Sequence, residues 1–294
     1  MKNPDVVIYH GPGCNDGFCA AWVYWSENPN ATFIPMGYGE AHSLDYLLSQ
    51  VLCKKAVMVD FSMDRESLIK LNDAADEFLV LDHHKTAKDN LEGLDFCKFS
   101  DTDSGATMAW KDVHGEDAAR PMLVRYVEDR DTWRNELPNT DEINAYISSL
   151  KHTFNVWDNV YRCVHPLLDI SVFVDELHII SKGSGILEYR QRIVEAACAN
   201  PREVTFEGKK VFMINMSHEF ASDAGHKLAE DRPFSMIYSV ASDDAVKVSL
   251  RSRENGSDVS EIARKYGGGG HKHAAGFTMM IGDLDHILAG LMDQ

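Results

Sequence analysis

The 294 residues, 44% hydrophobic and 26% charged, suggest two globular domains, each long enough to bury a core without staples. With 46 acidic against 29 basic residues the net charge is −17, which argues against a protein that tracks long nucleic acid by neutralising phosphates over a broad basic surface. Six cysteines without CxxC spacing argue against a disulfide framework or a thiolate zinc cluster.

In chain order, Val6-Val7-Ile8-Tyr9 is predicted to be a buried strand running into His10. The loop Gly11-Pro12-Gly13-Cys14-Asn15-Asp16-Gly17 then opens a helix-like stretch from Phe18 to Trp25. A second strand, Ala56-Val57-Met58-Val59, runs into Asp60, and a third, Phe78-Leu79-Val80-Leu81, into Asp82-His83-His84. A fourth apolar run, Met122 to Val127, leads to Glu128-Asp129-Arg130-Asp131. Helix-like segments at Leu44 to Leu52 and Arg65 to Ala75 lie between the runs, the rhythm of a mainly parallel sheet with crossover helices over residues 1–150. Open α/β sheets place their ligand sites at the carboxyl ends of such strands, where side chains are held rigidly yet exposed. Repeated delivery of Asp and His to those ends is the pattern of a centre for borderline-hard divalent ions such as manganese. A carboxylate shared between two ions about 3.5–4 Å apart is the usual template for phosphoryl hydrolysis.

Residues 151–202 read as a helical connector, with Ile186, Tyr189, Ile193 and Ala197 at helical spacing and a stop at Asn200-Pro201. A smaller mixed α/β unit is expected over 203–294. It has a hairpin about Glu207-Gly208-Lys209, strands Phe234 to Val240 and Ala245 to Leu250, and a turn at Ser242-Asp243-Asp244. Asp258-x-x-Glu261 reads as a capping box, with Gly267 as the left-handed stop of that helix. Four successive glycines, Gly267 to Gly270, bring backbone N–H groups within reach of an anion. Arg251, on a strand face with Lys247 and Ser249, is a candidate phosphate clamp against the plainer reading of solvated charge. Ser104-Gly105-Ala106-Thr107 is expected to cap the helix into Trp110, and the five tryptophans are assigned to the core.

His10-x3-Cys14-x-Asp16-Gly17, Asp60, Asp82-His83-His84 and Asp129, taken in order, resemble the four-motif signature of the DHH phosphoesterases. Gly268-Gly269-Gly270-His271-x2-Ala274-Ala275-Gly276 resembles the glycine motif of the DHH-associated domain. The resemblance implies two divalent ions, manganese or else magnesium, and an active site in the cleft between the domains. It places His10, the Cys14 position and Asp60 on one ion, and Asp16, Asp60, His83 and Asp129 on the other, with Asp60 shared. Asp82 would orient His83 or complete the outer shell, and His84 would face the scissile phosphate. Gly268, Gly269, Gly270, His271 and Arg251 would hold the substrate's far phosphate or terminal nucleotide. The sequence departs from the commoner family pattern at Cys14, where Asp is usual. Asp131 competes with Asp129 for the fourth motif, and spacing from the apolar run favours Asp129.

The function so implied is metal-dependent hydrolysis of short oligonucleotides or dinucleotides to nucleoside monophosphates, by an enzyme of the oligoribonuclease type. Hydrolysis of cyclic dinucleotides, of polyphosphate or pyrophosphate, or a non-catalytic nucleotide-binding module are the alternatives. No long duplex partner and no membrane are expected, a homodimer stays open, and the setting is expected to be cytoplasmic. The early first strand leaves no room for a leader, and no apolar run reaches membrane-spanning length.

Overall fold

A computed structural model describes all residues except 12, 38–41, 164–169, 242–243 and 290–294; side chains are also left aside over 163–176 and 288–294. The turn expected at Ser242-Asp243 therefore lies outside the described residues. The chain forms two units, Met1–Leu187 and Glu188–Gln294.

The first unit runs β1 (Val6–His10), α1 (Asn15–Glu27), β2 (Thr32–Met36), α2 (Leu44–Val51), β3 (Lys55–Val59), α3 (Arg65–Ala74), β4 (Glu77–Asp82), α4 (Lys88–Leu91) and β5 (Cys97–Phe99). It continues through α5 (Gly105–His114), α6 (Met122–Asp131), α7 (Thr140–Ser148) and α8 (Phe154–Cys163) into α9 (Ile170–Cys198), which crosses into the second unit. The five strands are all parallel, in the order β2-β1-β3-β4-β5, so the chain reverses its direction of travel across the sheet between β1 and β3. Strand alternation explains the unbroken apolar runs. Val7, Tyr9, Val57, Val59 and Leu81 face α1, α5 and α6 on one side. Val6, Ile8, Ala56, Met58 and Val80 face α2 and α3 on the other.

Two expectations change here. The run Met122 to Val127 is helix α6 and not a strand, with Leu123, Val124, Tyr126 and Val127 on its buried stripe behind Pro121 at the N-cap. A six-residue apolar run fits either period, and tertiary packing decides between them. Thr32–Met36, to which the pattern assigns no strand, is the edge strand β2; Pro35 is tolerated there because an edge needs no hydrogen bond on its outer side. Of the segment read as a connector, α8 and α9 are helical, and their residues pack into the cores of the two units. Trp157, Val160 and Ile179 belong to the first unit's core, while Val194 packs with Ile214, Ala221 and Ile237 of the second.

The second unit runs β6 (Arg202–Phe206), β7 (Lys209–Asn215), α10 (Ala221–Leu228), β8 (Ser235–Val240), β9 (Ala245–Arg251), α11 (Val259–Lys265), β10 (Gly269–His271), β11 (Ala274–Met280) and α12 (Ile281–Ala289). These strands form one mixed sheet in the order β10-β11-β9-β8-β7-β6, parallel between β7 and β8. Phe206, Phe234, Met236, Val248, Leu250 and Phe277 fill its core. Asp258 caps α11 by accepting from Ser260 N at 3.1 Å, and Gly267 closes it at φ +75. Among the described residues, no helix is long and apolar enough to cross a membrane.

Candidate metal centre

Three parallel strands end within one cluster. His10 is the last residue of β1, Asp60 follows β3 directly, and Asp82 ends β4 with His83 and His84 just beyond. Asp16 joins from the first turn of α1 and Asp131 from the last residue of α6. The cluster thus lies at the carboxyl edge of the sheet, at the switch between β1 and β3, where a crevice forms between diverging crossovers.

Asp60 is its hub. The Oδ1 atom is 3.0 Å from His83 Nε2, while Oδ2 is 3.3 Å from His10 Nδ1 and accepts from Cys14 Sγ at 3.4 Å. Its backbone holds φ +56, a left-handed conformation uncommon for a side-chain-bearing residue, which turns the carboxylate back over the strand end. His83 Nε2 also lies 3.6 Å from Asp16 Oδ2 and 3.5 Å from Asp131 Oδ2. Asp82, fully buried, accepts from the backbone N–H groups of His83 and His84 and from His84 Nδ1 at 2.8 Å. It therefore fixes the His84 ring, and reaches His83 through the backbone alone.

Burial, with Asp60 and Asp131 nearby, pushes the Asp16 carboxyl well above the usual carboxylate range. Burial raises Asp131 too, against the pull of His83. It would also raise Asp60, but hydrogen bonds from His10 and His83 outweigh it and hold this carboxylate well below its ordinary range. For His83, burial opposes the charged imidazole, and the bond to Asp60 with the charges of Asp131 and Asp60 more than offsets it. Asp131 Oδ2 and Asp82 Oδ2 are buried without a hydrogen-bond partner among the described residues. Such a cluster is suited to holding cations. Within the first unit, two donor groups fit them: His10, Asp60 and His84, and Asp16, His83 and Asp131, the ligand atoms of each within 4.8 Å of one another. Imidazole and carboxylate donors of this kind suit a borderline-hard divalent ion.

Two of the expected ligands fall outside both donor groups. Asp129 accepts from Glu136 N at 2.9 Å, Leu137 N at 3.1 Å and the Thr140 hydroxyl, so its oxygens tie down the loop after α6. Asp131 takes the position in the cluster. The reason is helical periodicity: counted along a strand, Asp129 is the better-spaced residue, but on a helix the two carboxylates point about 200° apart. Cys14 lies outside both donor groups. It caps α1, accepting from Gly17 N at 3.4 Å, while its thiol donates to Asp60. Burial, with Asp60 next to it, pushes that thiol well above its ordinary pKa, which favours the protonated form.

Gly105 has a role that the sequence pattern does not signal. Its N–H and that of Ala106 donate to the two oxygens of Asp16 at 2.6 and 3.0 Å, so the positive end of α5 orients this carboxylate. A Cβ at Gly105 would lie 2.5 Å from Asp60 Cβ and 3.0 Å from Asp16 Oδ2. Gly105→Ala should therefore displace two ligands at once. We expect manganese affinity, followed by titration calorimetry, to fall by about tenfold or more, because ligand orientation is set from this outer layer. Unchanged affinity would mean that α5 gives way without disturbing the pair.

In the second unit, Arg251 is buried, not part of a solvated strand face. It donates to Ser222 Oγ through Nε and Nη2, at 3.2 and 3.1 Å, and to Leu250 O through Nη1 at 2.8 Å, so a free two-pronged fork is not available as it stands. Burial lowers its pKa to about 10. Its hydrogen-bond partners are neutral, and the Asp223 carboxylate offsets part of its buried charge. Gly269 and His271 lie on β10, paired with Gly276 and Ala274 of β11. A Cβ at Gly268 would lie 2.0 Å from Gly276 O, so at least this glycine is required by chain packing. Of the tryptophans, Trp22 and Trp157 are buried in the core and Trp25 and Trp110 pack against it, as expected; Trp133 is 46% exposed and is not a core residue.

The chain is similar to several known proteins. A DHHA1 domain model matches residues 217–293. The chain is 31% identical over 297 residues to the uncharacterized protein R106 of Acanthamoeba polyphaga mimivirus, covering 93% of this chain and 67% of that protein. It is 25% identical over 238 residues to the oligoribonuclease NrnB of Bacillus subtilis, covering 76% of this chain and 58% of NrnB. Among solved structures, the DHH domain of a member of the S1p family of ribosomal proteins matches with a TM-score of 0.56 at 12% identity. That match covers 99% of this chain and 86% of the other, a likeness of fold.

Proposed function

The chain belongs to the DHH phosphoesterase superfamily, and from that premise we propose that it hydrolyses short oligonucleotides and dinucleotides to nucleoside monophosphates. The observation that carries the reading is Asp60, whose two oxygens turn toward different donor groups, as a carboxylate shared by two cations must. Two divalent ions, manganese in preference to magnesium, would acidify an attacking water and polarise the phosphoryl oxygens. His10, Asp60 and His84 would hold one, and Asp16, His83 and Asp131 the other, with Asp60 shared between them. Asp82, 2.8 Å from His84 Nδ1, would orient that ring toward the ion. The buried charge of Arg251, with the segment Gly268 to His271, would hold the phosphate or nucleotide beyond the scissile bond. A chain of net charge −17 suits a substrate of a few phosphates better than a long strand.

The direct test is manganese-dependent turnover of end-labelled di- to decanucleotides beside a cyclic dinucleotide and pyrophosphate. Fastest release of monophosphates from the shortest linear substrates is the expected result. Preference for the cyclic dinucleotide or for pyrophosphate would reassign the substrate, and no metal-dependent turnover of any of them would reject the reading. In the same assay Arg251→Ala should raise KM for dinucleotides by ~1.5–3 kcal/mol, the scale of a charge-assisted contact. Cleavage of an aryl phosphodiester, which lacks the second phosphate, should change far less. Because Arg251 also bonds Ser222 and Leu250, Arg251→Lys serves as the control that keeps the charge. Equal losses on both substrates would assign Arg251 to the fold.

A further inference from the structure

We propose that Trp133 is a stacking platform for a nucleobase beside the metal centre, which would make it the residue that selects nucleotides over base-free phosphates. The inference rests on the oligonucleotide reading above and adds a specificity determinant to it. Trp133 lies two residues beyond Asp131, so its Cα is at most about 7 Å from that of a proposed metal ligand. The residue is 46% exposed although its large apolar side chain is of a kind that is highly buried on average. Its backbone adopts φ +57, a region that bulky residues avoid.

Such strain persists only where the surroundings enforce it, and here they do. Trp133 N donates to Arg130 O, while Arg134 N and Asn135 N both donate to Asp129 O. The Asp129 carboxylate gathers Glu136 N, Leu137 N and the Thr140 hydroxyl, closing the loop from the other side. The Arg130 guanidinium sits 4.4 Å from the centre of the indole ring and steadies its plane. A rigid, exposed, strained tryptophan has no purpose in the core, whereas aromatic rings held in this way stack on bases irrespective of sequence. On this account Asp129 is a positioning residue for the platform.

The test is equilibrium binding of a non-hydrolysed phosphorothioate dinucleotide, of the same backbone lacking both bases, and of AMP. Wild type, Trp133→Ala, Trp133→Phe and Trp133→Asn are compared; Asn tolerates φ +57 and so guards against a misfolded loop. Trp133→Ala and Trp133→Asn should weaken base-bearing ligands by roughly 5- to 150-fold and leave the abasic backbone unchanged. Trp133→Phe should recover most of the loss. AMP should quench indole emission in wild type by an amount that Trp133→Phe removes. Equal losses with and without bases, or no loss on either, would overturn the proposal. A wild type that cleaves no dinucleotide but shows the Trp133-dependent quench would reject the hydrolase reading and keep the platform. Normal dinucleotide turnover and affinity in Trp133→Ala would reject the platform alone.

Discussion

Asp60→Asn is expected to abolish metal-dependent turnover, lowering it on the order of 10³-fold or more, and to reduce bound manganese measured by electron paramagnetic resonance. The amide carries no charge and presents one acceptor oxygen where Asp60 presents two, one to His83 and one to His10. The substitution is a clean one because Asn, like Asp, accepts the left-handed backbone at φ +56. Asp60→Ala would add backbone strain and confuse the result. The circular dichroism spectrum of Asp60→Asn should match that of wild type. Near-normal turnover in a correctly folded Asp60→Asn protein would remove the shared-carboxylate model.

The second large effect separates two carboxylates that stand two residues apart. Asp131→Asn should cost about 10²-fold or more in turnover. The metal-free protein should unfold no more easily than wild type, since burial penalises the Asp131 charge by more than the pull of His83, 3.5 Å away, offsets. Asp129→Asn should instead lower stability by about 1.5–3 kcal/mol, because its carboxylate collects two backbone N–H groups and the Thr140 hydroxyl. The pH dependence carries a sign. Burial would raise the Asp129 pKa, but the bonds from Thr140, Glu136 and Leu137 outweigh it and hold it below its ordinary value of 3.8. A depressed folded pKa stabilises the fold above the unfolded value, and that contribution is lost as pH falls through the folded one. Urea unfolding should therefore show a gap between wild type and Asp129→Asn at pH 7 that narrows below about pH 3.8. If Asp129→Asn is instead the one that spares stability and removes turnover, the assignment of the two residues must be exchanged.

The parts of this protein that could be read from sequence are those in which local pattern and position coincide. His10, Asp60 and Asp82 each follow an unbroken apolar run, and a parallel strand covered on both faces admits few other patterns. Strand direction then carries these residues to one edge of the sheet whatever the details of packing, so most of the cluster was legible. The hairpin at Glu207-Gly208 and the cap at Asp258 depend on neighbours within a few residues and were legible for the same reason. Where the outcome depended on how a helix is rotated, the sequence was silent. Met122 to Val127 fits a strand or a helix, and packing against α5 and α7 made it a helix, which exchanged Asp129 for Asp131. The approach of Gly105 to Asp16 spans 89 residues of chain, and the burial of Arg251 beneath Ser222 spans 29. Contacts of that reach leave no local signature, because they are set by how whole elements pack and not by the propensities of the residues that meet.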